Sequence, residues 1–179
     1  MNVKVIGGVL LIGLILLATW AIQRGGTKEY PTEYIGIEFT YPDYYFYEER
    51  EVEGGGRAIV LTEDTAENRE LREGTTTVAR DGPEVIVLAE YPNEDRRPLE
   101  EWLQANGAIS NYNISAGTLT ETEVGGERAV RYSWSGLYEG HTVAAAKDER
   151  IYLFSVSFIN FEDRIRQSFD DILASLSLR

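Results

Sequence analysis

The sequence predicts an α+β fold in which an antiparallel-rich sheet is packed by helices, preceded by one N-terminal transmembrane helix. Three observations support this fold class. Short segments alternate apolar and polar residues, which is typical of half-buried strands. Residues 160–178 carry an apolar stripe with helical spacing, so a closing helix can cover one face of the sheet. Residues 5–22 form an uncharged apolar run at the start of the chain.

The apolar run at residues 5–22 is long enough to cross a bilayer. Its 18 residues contain no charge, and a helix of that length spans about 27 Å. Trp20 lies where an interfacial aromatic residue is expected. Because short N-terminal segments of this type act as export signals, we predict a retained single-pass anchor with the C-terminal domain outside the cytoplasm. A cleaved signal peptide, with Thr19 and Ala21 before the cut, and a buried core helix are the alternatives.

The chain is therefore predicted to have three parts. Residues 1–22 are the transmembrane anchor or signal segment. Residues 23–32 contain paired glycines and a proline without an apolar period, which predicts a flexible linker. Residues 33–179 are predicted to form one extracytoplasmic domain, because roughly 150 residues suffice for a single hydrophobic core.

The composition excludes several classes of function. The formal net charge is −13, from 30 acidic and 17 basic residues, so the chain repels phosphate backbones and nucleic-acid binding is disfavoured. Anionic headgroups repel it as well, and the N-terminal segment must supply the membrane affinity. Cysteine is absent, which excludes disulfides, thiolate nucleophiles, cysteine-ligated zinc and lipid attachment through an N-terminal cysteine.

The first half of the domain is predicted to consist of short strands and one exposed helical segment. Glycines 54–56 supply the positive φ of a hairpin turn. Residues 64–73 are good helix formers with one large apolar side chain, which predicts a short exposed helix or a mobile loop. The predicted strands are residues 35–40, 44–51, 57–62 and 84–90, of which the last is a near-continuous apolar run and is expected to be central.

The second half is predicted to contain a helix, a meander of hairpins and the closing helix. Residues 98–106 predict a helix because Pro98 suits a first turn and Gly107 offers a left-handed stop. The inward-facing side chains of this helix are predicted to be Leu99, Trp102 and Leu103. The remaining elements are strands at residues 118–123, 128–134, 141–146 and 151–158, then a helix at residues 160–178 that Asn160 can cap.

Several phrases of the sequence resemble the PsbP-like family, named for an extrinsic subunit of photosystem II, together with its bacterial relatives. They are IGIEFTYPDYY, LEEWLQ, VGGERAVRYSW, DERIYLFSVSF and DDILASLSL, and the resemblance covers residues 33–179. It implies an α/β/α sandwich and a non-enzymatic extracytoplasmic protein that docks on a larger assembly. The membrane segment and the acidic insertion around residues 63–73 depart from the photosystem subunit, and none of the phrases is a catalytic or ligand motif.

A cluster of tyrosines forms the candidate binding surface. Exposed tyrosines offer rigid, amphipathic area to a protein or glycan partner. Alternation along a strand is expected to bury about half of such a cluster, so core packing is the competing interpretation. The candidate binding residues are Tyr41, Tyr44, Tyr45 and Tyr47, interrupted by Phe46.

No catalytic residue, metal ligand set or cofactor site is predicted. His141 is the only histidine, and acid-base chemistry there would need carboxylate partners that the sequence does not place. The hydroxyls of Ser133, Ser135 and Ser168 lack the G-x-S-x-G elbow of serine hydrolases. Acidic runs at residues 63–70 and 93–95 do not follow the calcium-loop pattern.

The leading hypothesis is a non-catalytic, membrane-anchored domain that binds an envelope protein or stabilises a membrane assembly. One alternative is an envelope hydrolase that uses two carboxylates, which would show a concave pocket with two close acidic side chains of perturbed pKa. The other alternative is a small-ligand or glycan carrier with an open cleft lined by the tyrosines at residues 41–47.

Overall fold

The computed structural model describes residues 25–76 and 82–179. The anchor predicted at residues 1–22 lies outside the described residues. Within the part of the chain that the structure describes, no helix is long and apolar enough to cross a bilayer.

Strands dominate the described chain, and three α-helices accompany them. The strands are β1 (Thr27–Glu29), β2 (Ile37–Glu38), β3 (Thr40–Pro42), β4 (Tyr45–Val52), β5 (Gly56–Glu63), β6 (Val85–Pro92), β7 (Ser115–Val124), β8 (Glu127–Ser135), β9 (Glu139–Lys147), β10 (Arg150–Phe158) and β11 (Ser177–Leu178). The helices are α1 (Ala66–Glu73), α2 (Leu99–Ala105) and α3 (Arg164–Ser175), with single 3₁₀ turns at Glu53–Gly55 and Tyr112–Ile114.

Seven strands form one antiparallel sheet in the order β4-β5-β6-β10-β9-β8-β7. The predicted meander is confirmed, because β7, β8, β9 and β10 pair in sequence through hairpins. The apolar run of β6 is interior as predicted, paired with β5 on one side and β10 on the other. Gly54 and Gly55 adopt positive φ in the β4–β5 turn, which confirms their predicted role.

Helices cover both faces of this sheet, which gives the predicted three layers. On one face, Phe169 and Ile172 of α3 form a core with the strand residues Ile59, Leu88 and Phe154. Because side chains alternate along a strand, the residues next to these in sequence point to the other face. On the second face Trp102 and Leu103 of α2 pack against a smaller cluster that includes Trp134. Leu99 packs against this cluster only partly buried.

Local structure differs from the sequence-based expectation at four places. The single strand predicted at residues 35–40 is divided, because Ile37–Glu38 pairs with β11 and Thr40–Pro42 pairs with β1. Part of the linker predicted at residues 23–32 is a strand, because Thr27–Glu29 pairs with Thr40–Pro42. The closing helix begins at Arg164 rather than Asn160 and ends at Ser175, after which β11 pairs with β2. Gly107 does not adopt positive φ; a Cβ there would lie 2.0 Å from the Asn113 side chain, so close approach explains the glycine.

One end of the sheet, here called the proximal end, is where β4, β6 and β9 begin and β5, β8 and β10 end. Gly25, the first described residue, lies there beside Tyr44. The C-terminal residue Arg179 lies toward the opposite end, where its backbone N–H donates to Gly36 O at 2.9 Å.

Candidate functional site

The four candidate tyrosines separate into two groups. Tyr41 and Tyr47 belong to an aromatic stack with Tyr30, whose ring centroid lies 5.3 Å from that of Tyr47, while the Tyr41 and Tyr47 centroids are 6.1 Å apart. Tyr41 is 5% exposed and Tyr47 is half-buried. Burial raises the pKa of Tyr41. These two rings therefore serve mainly as core.

Tyr44 and Tyr45 form the second group, at the proximal end beside the start of α3. Their ring centroids lie 5.0 Å apart. Tyr45 is 4% exposed, and its burial raises its pKa to about 12. Tyr44 is half-buried, its hydroxyl hydrogen-bonds Ser168 Oγ at 3.0 Å, and the Arg164 guanidinium lies 4.1 Å from its ring centroid. Tyr44 is thus held in a fixed orientation with part of its surface exposed.

An open cleft of about 440 Å³ runs between β3 and α3, and we call it the Tyr44 groove. Tyr41 forms part of its wall, and the Tyr44 phenol and the Arg164 guanidinium stand at one end. Thr40 and Ser175 connect its two sides, since Thr40 N–H donates to Ser175 Oγ at 3.0 Å. The other lining residues are Thr27, Pro42, Gln167, Ser168, Asp171 and Ala174. Aromatic, cationic, anionic and amide groups all reach this cleft.

A second cleft, of about 420 Å³, contains two acidic side chains that share a hydrogen bond, Glu84 and Asp163. Burial raises the pKa of Glu84, and the hydrogen bond with Asp163 raises it further. The backbone N–H of Asn160 lowers the pKa of Asp163 by donating to its Oδ2 at 2.6 Å. Glu84 Oε1 accepts the backbone N–H of Ile159 at 2.6 Å. The two carboxyls therefore also fix the loop before α3.

The acidic pair differs from the paired carboxyls of a glycosidase. Retaining and inverting glycosidases hold their carboxyls roughly 5 to 9 Å apart, whereas Glu84 and Asp163 are close enough to share a hydrogen bond. Such a pair instead resembles two acids that share one proton. The cleft has the features expected of a hydrolase, because it contains two close carboxyls with perturbed pKa values, but the hydrogen bond joins the two groups directly.

His141 contacts a serine, but the ring nitrogen that faces the serine carries a proton and so cannot act as the base of a serine hydrolase. Its Nδ1 lies 3.0 Å from Ser133 Oγ, and its Nε2 lies 3.3 Å from Arg166 Nη2. Arginine can only donate, so Nε2 is the acceptor and Nδ1 of the neutral ring carries the proton. Burial lowers the pKa of His141, and the positive charges of Arg166 and Arg131 lower it further. The ring therefore donates to Ser133 and cannot remove its proton.

No family profile matches this chain, and no curated protein matches it in sequence. The solution structure of cyanobacterial PsbP (CyanoP) from Synechocystis superposes with a TM-score of 0.54 at 13% identity, covering 87% of this chain and 94% of that one. The described chain has a PsbP-like fold.

Two further solved structures align with most of this chain. A protein from Bacteroides thetaiotaomicron has a TM-score of 0.48 at 10% identity. The alignment covers 87% of this chain and 49% of that chain. LpqN, described as involved in cell envelope biogenesis of Mycobacterium tuberculosis, has a TM-score of 0.43 at 15% identity, with 88% of this chain and 94% of that chain covered.

The acidic runs at residues 63–70 and 93–95 include members of ion pairs and hydrogen bonds. Glu63 pairs with Arg164, and Asp64 pairs with Arg69 at 2.6 Å. Asn93 is buried, and its side chain accepts the backbone N–H of Arg97 at 3.0 Å. Within residues 25–76 and 82–179, no group of three His, Asp or Glu side chains has the arrangement of a metal site.

Sequence reasoning missed Arg164 and the pairing of Glu84 with Asp163. No local signal marks these residues, because their partners lie on other elements of the PsbP-like fold. Arg164 is the first residue of α3, and it reaches Tyr44 only because α3 packs across β3. Glu84 precedes β6 while Asp163 precedes α3, so only the folded sheet brings them together.

Proposed function

We propose that this chain is a non-catalytic, membrane-anchored domain outside the cytoplasm that binds an envelope protein through the Tyr44 groove. The observation that carries the proposal is the position of the groove relative to the N-terminal apolar segment. Thr27 lines the groove and follows Ile22, the last residue of that segment, by only five positions. Five extended residues reach at most about 18 Å, so a partner in this groove lies close to the membrane.

The chemistry of the groove supports a protein partner. Tyrosine and arginine are enriched at the energetically dominant positions of protein interfaces. The Ser168 hydrogen bond and the Arg164 stack hold the Tyr44 ring in place before binding, which lowers the entropy lost on association. Asp171, Gln167 and Arg164 provide polar groups of different charge around the same cleft, as at the rim of an interface.

The proposed absence of catalysis rests on geometry and on the fold. The proton of the neutral His141 ring is on Nδ1, the nitrogen that faces Ser133, so the ring cannot accept the serine proton there. Glu84 and Asp163 are in direct contact and hold a loop. The PsbP-like fold adds support, since the resemblance implies proteins that dock on larger assemblies, and a cleft with mixed polar walls suits that role.

The acidic pair makes an envelope hydrolase the second candidate function. Its two pKa values are shifted in opposite directions, a pattern that also assigns acid and base in some active sites. Hydrolysis that is lost in Glu84→Gln and kept in Tyr44→Ala would support this candidate and contradict the groove.

The test is site-specific photo-crosslinking of the full chain in its native membrane. A photoreactive residue replaces Gln167, which is exposed in the groove, or Glu123, which is exposed on β7 as a control position. We expect one protein to crosslink at position 167 and not at position 123. The same protein, once purified, must bind the full chain directly.

Groove variants decide whether that crosslink reports the proposed site. Tyr44→Ala and Arg164→Gln should each lower the crosslinked fraction and the affinity at least tenfold, as expected of a dominant interface residue. Arg128→Gln is the matched control, because the Arg128 side chain is 93% exposed and does not line the groove. Equal binding by all three variants would reject the groove, and binding of a purified glycan without any protein would favour the carrier alternative.

A further inference from the structure

Four large apolar side chains are exposed on the described residues, and we call them the apolar rim. Leu137 is 81% exposed, Ile159 65%, Phe161 62% and Ile114 45%. Single exposed apolar residues are common on soluble proteins, whereas a group at one place marks a contact surface. Whether these four residues mark a contact surface therefore depends on whether they lie close together.

The strand register places the whole rim at the proximal end of the sheet. Leu137 lies in the turn between β8 and β9, where Ser135 pairs with Glu139. Ile159 and Phe161 follow the last residue of β10, Phe158, which pairs with the same Glu139. Ile114 immediately precedes β7, and its Cδ1 lies 3.3 Å from where a Cβ on Gly136 would be. All four side chains therefore lie at the same end of the sheet.

The chain also arrives from its N-terminal apolar segment at this end. Asp43 N–H donates to Gly26 O at 2.8 Å, and Gly25 lies against the Tyr44 ring. That ring contacts Arg164 of α3, which follows Phe161 by three residues. Only Gln23 and Arg24 separate Gly25 from Ile22, so Gly25, at the proximal end, lies within about 10 Å of the end of the apolar segment.

The opposite end of the sheet has a different character. Its β9–β10 turn carries Asp148 and Glu149, and Glu149 pairs with Arg96 at 3.1 Å. Glu94 and Arg179 are also exposed toward that end. Exposed large apolar side chains of the described residues are thus confined to the end nearest the predicted anchor.

We propose that the apolar rim rests on the surface of a lipid bilayer, with Leu137, Ile159 and Phe161 at headgroup depth. This inference rests on the anchoring part of the proposed function. Apolar side chains gain by leaving water for the headgroup and acyl boundary, and the anchor makes that contact intramolecular, so a small apolar area suffices. Docking fixes the tilt of the domain and holds the Tyr44 groove beside the membrane.

The charges predict which lipid surface is preferred. Arg166 lies 5.2 Å from the Phe161 ring centroid and places one positive charge beside the rim. The net charge of −13 nevertheless opposes approach to an anionic leaflet. Docking is therefore expected on zwitterionic lipid and should weaken as anionic lipid is added.

The absence of cysteine allows a direct test with single-cysteine labelling of the full chain. Glu162→Cys places a fluorophore within the rim without removing a rim residue, and Glu149→Cys places it at the opposite end as the matched control. Each labelled chain is reconstituted at one copy per phosphatidylcholine nanodisc that contains headgroup spin-labelled lipid. Quenching of the label at position 162 should exceed that at position 149 at least about twofold.

A rim variant separates lipid docking from the anchor. Combined Leu137→Ser, Ile159→Ser and Phe161→Ser should reduce quenching at position 162 to the level at position 149, while the chain still floats with lipid. Equal quenching at both positions in a chain that floats overturns the rim and leaves the anchor intact. A chain that does not float overturns the anchor and, with it, this inference. Quenching at position 162 that appears only with several copies per disc would assign the rim to self-association instead.

Discussion

The indole of Trp134 occupies the space above Gly140 where any larger residue would place its Cβ. A Cβ on Gly140 would lie 2.1 Å from Trp134 Cζ2, far inside van der Waals contact. The indole cannot move easily, because Trp134 is 7% exposed and its Nε1–H donates to Thr142 Oγ1 at 3.0 Å. Neighbouring strands β8 and β9 therefore depend on a glycine at this register position.

Gly140→Ala should destabilise the fold by about 2 kcal/mol or more, because the added methyl forces either the indole or the strand to shift. Urea unfolding followed by Trp fluorescence measures this change. Gly82→Ala is the matched control, since a Cβ there meets nothing within 4 Å and its φ is not in the left-handed region. A Gly140→Ala midpoint equal to that of the control would show that the indole contact is not restrictive.

Glu90 is a buried carboxylate held by two arginines. It is 3% exposed, accepts from Arg57 Nη2 at 2.7 Å and from the backbone N–H of Gly36 at 2.9 Å, and also pairs with Arg150. Removal of the charge leaves both guanidinium groups without their shared partner. Because each arginine remains nearly half exposed, solvent compensates part of the loss.

Glu90→Gln should therefore lower the free energy of unfolding by roughly 2 kcal/mol, less than for a fully buried pair. Glu149→Gln is the matched control, because the Glu149 pair with Arg96 is exposed on both sides and should contribute under about 1 kcal/mol. Chemical denaturation at neutral pH compares the two variants. Equal effects would contradict the distinction between the buried and exposed pairs.

The single histidine gives the fold a predictable acid sensitivity. Burial and the charges of Arg166 and Arg131 lower the pKa of His141 in the folded state, so the unfolded chain binds a proton more readily. This contribution to stability is fully present above the unfolded pKa of about 6.5 and is lost as pH falls toward the folded value.

The folded pKa of His141 can be measured by NMR without assignment, since the chain has only one imidazole. We expect a value below 6.5, and we expect Arg166→Gln to raise it while burial keeps it partly lowered. Denaturation at pH 7.5 and 5.5 should then show a smaller pH dependence in His141→Gln than in the natural chain. A titration midpoint at or above about 6.5 would contradict the burial argument.

Two buried tyrosines should lose their phenol protons at higher pH than a tyrosine in water. Burial raises the pKa values of Tyr45 and Tyr132 to about 12, while an unfolded tyrosine titrates near about 10. The stabilising effect of keeping these phenols neutral is fully present below about pH 10 and is lost as pH rises through the folded values. An ultraviolet titration should therefore show a late phase that overlaps alkaline unfolding.

Tyr132→Phe should remove part of that late phase and cost little packing, although it deletes the hydrogen bond to Ser110 O. Tyr45→Phe is the second variant, because burial raises the pKa of Tyr45 to about 12 as well, and it should remove the other part of the late phase. A titration with a single midpoint near about 10 would mean that neither buried phenol is protected.

The sequence predicted elements whose signal is local. The apolar run of β6 and the glycine turn before β5 were placed correctly because strand alternation and positive φ depend on neighbouring residues. The strand Thr27–Glu29 was missed, since its only support is pairing with Thr40–Pro42. The helix predicted to Leu178 ends at Ser175, because pairing of β11 with β2 competes with the continuing apolar period.

By itself the sequence determined the α+β class of the described domain and its antiparallel meander, which follow from the periodicity of the apolar residues. Only the tertiary structure decided that Tyr44 rather than Tyr41 presents surface, that Arg164 fixes it, and that Glu84 and Asp163 meet. The physical reason is that exposure and electrostatic pairing are properties of contacts between distant elements, and packing of α3 on the sheet creates those contacts.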